Sequence, residues 1–103
     1  MQSYLVLRRN AWRAGVDLER AASRSSRVTN EEMAGRVRWI RTYVCTEEDG
    51  SLGSVCVYQA RDADAVAEHA RRAGLGCDAI LPIVRTVVIA DDPIAFEATE
   101  TNS

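Results

Sequence analysis

The stretch Ser54-Val55-Cys56-Val57-Tyr58-Gln59-Ala60, running on through Arg61 into Asp62-Ala63-Asp64-Ala65-Val66-Ala67-Glu68-His69-Ala70-Arg71-Arg72-Ala73-Gly74, decides the fold. Its first part, rich in β-branched and aromatic residues, reads as a buried strand, and from Asp62 the spacing turns helical. Asp62 is a capping residue for the free N–H groups of the first turn. Asp64 suits the positive end of the helix dipole, and Arg71 and Arg72 suit its negative end. Gly74 closes the helix by taking a left-handed conformation. This unit carries the chain's single histidine, His69, and the most strand-like of its cysteines, Cys56.

Toward the N-terminus, Val37 to Cys45 alternates strictly. Val37, Trp39, Arg41, Tyr43 and Cys45 fall on one face and Arg38, Ile40, Thr42 and Val44 on the other, as in a long strand. Thr46 to Gly53 holds Glu47, Glu48, Asp49 and Gly50 and reads as a long, solvated, acidic hairpin loop before the strand that resumes at Ser54. Further back, Asp17 is the expected cap of a helix whose stripe runs Leu18, Ala21, Ala22, Ser25, Val28, Thr29 and Met33, ending at Gly35. Tyr4 to Arg8 is a first, central strand, and Asn10 to Gly15 a loop with Trp12 inside it. Beyond the second helix, Ile80 to Ile89 reads as the last strand, with Pro82 suiting a sheet edge.

The order strand, helix, strand, strand, helix, strand is that of an α+β, ferredoxin-like βαββαβ domain: a four-stranded antiparallel sheet with two helices on one face. Residues 1–89 form the domain, and 90–103 an acidic C-terminal tail in which Ile94 and Phe96 are the only large apolar groups. The helices leave one sheet face bare. If Tyr4, Val6, Trp39, Tyr43, Cys56 and Tyr58 share it, a homodimer packed sheet to sheet is the simplest cover.

Composition narrows the function classes. The chain of 103 residues is 47% hydrophobic and 27% charged, with 13 basic and 15 acidic residues and a net charge of −2. That balance gives no electrostatic case for nucleic acid as a partner. No apolar run reaches the ~20 residues of a spanning helix, so no membrane role is expected and a cytoplasmic location is. Cys45, Cys56 and Cys77 are an odd, widely spaced set without a CxxC pair, against a disulfide framework or a Cys-rich zinc site. No Ser-His-Asp order, glycine-rich phosphate loop or HExxH helix is present.

Two residues lead the chemistry. His69 falls at the border of a stripe centred on Ala63 and Ala70, where an imidazole has one buried edge and one reachable nitrogen; the plain alternative is a half-buried histidine bonded to a backbone carbonyl. Cys56 lies among valines and reads either as a small buried hydrophobe or as a sulfur ligand. Tyr43 and Tyr58 could donate hydrogen bonds into a pocket with Trp39 as a wall, or could be plain core.

Taken together, Tyr4-Leu5-Val6, Arg24-Ser25, Val37 to Val44 with its W-x-x-x-Y-V, the C-x-Y-x-A of Cys56 to Ala60, and the E-H-A-x-x-A-G of Glu68 to Gly74 resemble an actinobacterial-rich family of small ferredoxin-like, nickel-binding proteins. The resemblance spans about Tyr4 to Val88. It implies a homodimer and divalent metal binding, with Cys56, Tyr58 and His69 as the matched positions. A longer acidic hairpin loop and Trp12 depart from the pattern. An imidazole with a thiolate suits nickel, copper or zinc, and a carboxylate such as Glu68 could complete a site. The first expectation is therefore a nickel-binding protein with no demonstrable catalysis, holding metal on His69 and Cys56. The second is a dimeric α+β barrel enzyme or binder with an apolar ligand between sheet and helices, oriented by Tyr43, Tyr58 and His69, with Trp39 as a wall. The third is an interaction module acting through its acidic tail.

Overall fold

The computed structural model describes residues 1–92. Strand β1 (Gln2–Trp12) is followed by helix α1 (Gly15–Arg27), a π-helical turn (Val28–Glu32), strands β2 (Val37–Thr46) and β3 (Leu52–Ala60), helix α2 (Ala63–Ala73) and strand β4 (Ala79–Pro82). The strands form one antiparallel sheet in the order β2-β3-β1-β4. The ferredoxin-like α+β reading holds, with β1 central as expected.

α2 is built as its sequence dictates. Asp62 accepts the Ala65 N–H at 2.9 Å, and Gly74 ends the helix at φ 69°. Its inward ridge, however, is Ala65, Val66, His69, Ala70 and Ala73, while Ala63 is exposed. The stripe is thus rotated so that His69 lies inside it and not at its border.

α1 departs more. It begins at Gly15, with Ala14 at the cap position and no side-chain cap, so Asp17 serves the first turn as an acid and not as the capping group. The expected stripe does turn inward, since Ala21, Ser25, Val28, Thr29 and Met33 are buried. Reaching Met33 takes a wider turn: its N–H bonds to the Val28 carbonyl, five residues back, at 2.8 Å. Thr29 Oγ1 donates to the Ser25 and Ser26 carbonyls there, the back-bonding that loosens a helix end.

The bare face carries a different set of side chains from the expected one. β2 pairs with β3 as Trp39 with Tyr58 but then as Arg41 with Val57 and Thr42 with Cys56, so Ile40 is a bulge and the alternation changes phase after it. Trp39, Thr42, Cys56, Tyr58, Tyr4 and Val6 therefore share the face that the helices cover, and only Tyr43 of the expected set looks the other way. The bare face carries Leu5, Leu7, Val55 and Val57, half-buried, with Tyr43 and Leu81 exposed.

Two further differences set up the site. β1 runs past Arg8 to Trp12, across a register shift where Asn10 sits at φ 49°, so Trp12 belongs to a strand end opposite Leu52 and not to a loop. The hairpin loop holds this irregularity: Glu47 accepts the Asn10 N–H at 2.8 Å and pairs with Arg9 at 2.8 Å, and Asp49 accepts from the Asn10 amide at 3.1 Å. Gly53 admits that approach, since a Cβ there would lie 2.7 Å from the Arg8 carbonyl oxygen. The acidic loop is thus engaged and not merely solvated. At the other end β4 stops at Pro82, because its partner β1 begins at Gln2; the Ile83 N–H still bonds to Ser3, but Val84 and Ile89 are 95% and 90% exposed. The tail beyond Asp92, with Ile94 and Phe96, lies outside the described residues.

Candidate functional site

Where α1 and α2 lie over the centre of the sheet, several polar side chains are embedded in the apolar core. Arg8, continuing the inward parity of Tyr4 and Val6, is 3% exposed. Its Nε donates to the Gly76 carbonyl at 2.7 Å and one terminal nitrogen reaches Cys56 Sγ at 3.5 Å; its other terminal nitrogen is buried without a partner. Cys56 Sγ also accepts from Thr42 Oγ1 at 3.1 Å, which is possible only because the bulge at Ile40 turns Thr42 inward.

His69 is fully buried. Its Nε2 lies 2.9 Å from Ser25 Oγ, while Nδ1 has no partner. The Tyr58 ring stands 5.0 Å from the imidazole, and Trp39 stacks on Tyr58 at 6.3 Å, giving an aromatic row across the inner face. Burial, then the charge of Arg8, lowers the His69 pKa to about 4, so the ring is neutral at neutral pH. Burial pushes the Tyr58 hydroxyl up, with Arg8 and Ser25 pulling the other way.

The structure thus brings four of the anticipated site residues onto the covered face, Cys56, Tyr58 and His69 buried and Trp39 half-buried, and leaves Tyr43 on the opposite face with its hydroxyl on Asp92. Glu68 is not available to that group. Arg36 holds it in two bonds of 3.0 Å and Arg72 in a third of 2.8 Å, which lowers its pKa to about 2 and makes it a strut between α2 and the turn before β2. Among the described residues no group of three or more His, Cys, Asp or Glu side chains is placed to hold a metal ion. The space between sheet and helices, walled by Trp39, Cys56 and Tyr58, amounts to about 30 Å³, the room of a single water. Among the described residues this nearly filled space counts against an apolar ligand enclosed there, as the second expectation requires.

Sequence reasoning missed Arg8, Ser25 and Thr42 as site residues. The signal for Arg8 was present in its two-residue spacing from Val6; Thr42 was hidden by the bulge.

The model of the nickel responsive protein SCO4226-like family matches residues 4–83. The chain belongs to this family. The crystal structure of SCO4226 from Streptomyces coelicolor A3(2) superposes with a TM-score of 0.64 at 19% identity, covering 82% of this chain and 99% of that one. At that identity the likeness speaks for the fold. Among curated proteins none matches. No helix among the described residues is long and apolar enough to cross a membrane.

Proposed function

We propose that this protein is a small nickel-responsive protein that binds a divalent ion without a catalytic step of its own, with His69 as nitrogen ligand and Cys56 as sulfur ligand. The family's name supports the metal, and one observation supports the ligand: a neutral imidazole whose Nδ1 is left without a partner. If the Nε2–H donates to Ser25, the lone pair falls on Nδ1, and a hydroxyl then fixes the tautomer as outer groups commonly do around metal-bound histidines.

The donors fit a borderline-soft ion in kind, nitrogen and sulfur, while the charge beside them does not. The Arg8 guanidinium must leave Cys56 Sγ before the sulfur can ligate. A bound nickel ion would supply the positive charge that Arg8 now places there. Calorimetric titration with nickel is expected to show binding by the wild type, at least tenfold weaker binding by His69→Gln and by Cys56→Ser, and tighter binding by Arg8→Met. Equal binding by wild type and the first two variants would overturn the assignment. Copper should outcompete nickel at the same ligands.

The reading includes a homodimer, supported by the bare sheet face with Leu81 at 51% and Tyr43 at 42% exposure. Sedimentation of the wild type as a monomer at micromolar concentration would remove it.

A further inference from the structure

We propose that the groove between the end of β1, the first turns of α1 and the Gly74–Gly76 segment is a binding site for a small organic oxyanion, a carboxylate or phosphate carried on an apolar body. This stands on Arg8 and its neighbours; it shares Arg8 with the nickel reading but does not rest on it.

The first ground is an unanswered charge. A buried ionised group is ordinarily paired, because leaving water without a counter-charge is costly. Arg8 is almost wholly buried, permanently charged, and has among the described residues a carbonyl and a sulfur as partners but no carboxylate. One of its terminal nitrogens has no acceptor at all. A guanidinium in that condition lacks an anion, and its planar fork suits the paired oxygens of a carboxylate or phosphate.

The second ground is the surroundings. Arg8 lines an open groove of about 340 Å³ together with Arg20 and Arg24, against a single acid, Asp17. Arg20 and Arg24 stand four residues apart on one helix face, a spacing at which like charges are mildly destabilising. Arg24 is steadied by its Nε bond to the Ala73 carbonyl at 2.9 Å. Gly74 and Gly76 keep the opposite wall at backbone height, and an added Cβ at Gly76 would meet nothing within 4 Å.

The third ground fixes the apolar half. Trp12 and Leu75 line this groove and also the small space leading to Trp39 and Tyr58, so the basic floor continues into an aromatic wall. An indole beside guanidinium groups accommodates an aromatic or branched aliphatic acid better than a bare inorganic ion. The register shift that carries β1 on to Trp12 is what places this wall.

The test uses the full-length protein labelled with ¹⁵N, the indole signals of Trp12 and Trp39 being assigned with Trp12→Phe, and titrations with benzoate, phenyl phosphate, inorganic phosphate and benzylamine at low salt. Saturable shifts of the Trp12 indole with benzoate or phenyl phosphate are expected, whichever is tighter naming the head group, with none from benzylamine. Inorganic phosphate should bind at least tenfold more weakly than phenyl phosphate; equal binding would overturn the apolar half. The exposed double variant R20Q/R24Q is expected to fold as wild type and to lose at least tenfold in affinity, and Arg8→Met to lose binding altogether. If Arg8→Met fails to fold, R20Q/R24Q decides alone. Absence of saturable binding of both aromatic anions by the wild type, or an unchanged affinity in R20Q/R24Q, would overturn the site.

Discussion

The two faces of this sheet differ in what they hold: polar groups are embedded in the apolar core of the covered face, while the open face carries aliphatic side chains. The covered face holds Arg8, Thr42, Ser54 and, from the helices, Ser25 and His69, all buried or nearly so, whereas the open face offers Leu5, Leu7, Val55, Val57 and Leu81. Burying polar groups is costly unless each finds a partner, and two atoms here find none. Exposing apolar area is costly too. The first leaves unsatisfied polar atoms inside, and the second leaves apolar area at the surface.

Breaking the covered face should produce the largest effect. Tyr58→Ala removes the ring that stacks on Trp39 and abuts His69, and by the range for large buried aromatics it should cost about 3–5 kcal/mol. Val57→Ala, the adjacent residue on the open face, should cost only about 1 kcal/mol by the smaller area involved. Denaturant unfolding of the two variants side by side checks the contrast; similar losses would mean that both faces are equally core.

The next effect is one of pH. His69 is held neutral in the fold, its pKa lowered from 6.5 to about 4, so the unfolded chain binds the extra proton first. Stability from this source is complete above pH 6.5 and declines as pH falls from there toward 4, by on the order of 3 kcal/mol at ~1.4 kcal/mol per pKa unit. Glu68, held down to about 2, adds a further loss below its ordinary range, as pH falls from about 4.5 toward 2. His69→Gln should flatten the first decline and leave the second, as read by thermal unfolding across that range.

On the open face, Leu81→Lys should change assembly and not folding. Each chain should still fold, its thermal midpoint lowered only by what association contributed, while the sedimenting mass falls from that of the proposed dimer to that of one chain. A small effect should also come from deleting Ile40. The bulge residue has no opposite number in β3, so its removal should leave Thr42 beside Cys56 and Tyr43 outward, at a cost of about 1 kcal/mol or less. Cross-strand contacts between Thr42 and Cys56 in NMR spectra would verify the retained facing.

Much of this was legible in the residues. Asp62 and Gly74 bracket α2 because their roles are local, and the stripe from Ala21 to Met33 reads correctly even though a π-helical turn was needed to complete it. What could not be read is whatever depended on phase or partner length. One unpaired residue at Ile40 reassigns every side chain after it, and β-branched residues from Ile83 onward extend no strand because β1 offers almost nothing more to pair with. His69 and Cys56 were found by chemical type; Arg8 was passed over because an arginine at the end of an apolar run reads as the return to solvent.

Cys56 carries a practical consequence. All three cysteines are free thiols; Cys56 is buried, while Cys45 and Cys77 are exposed. With those two thiols replaced by serine, the slow alkylation of the remaining one becomes a clock for the interior: its rate reports how often the layer around Arg8 and His69 opens to reagent. A ligand that closes that layer should slow the clock, and an ion that captures the sulfur should stop it.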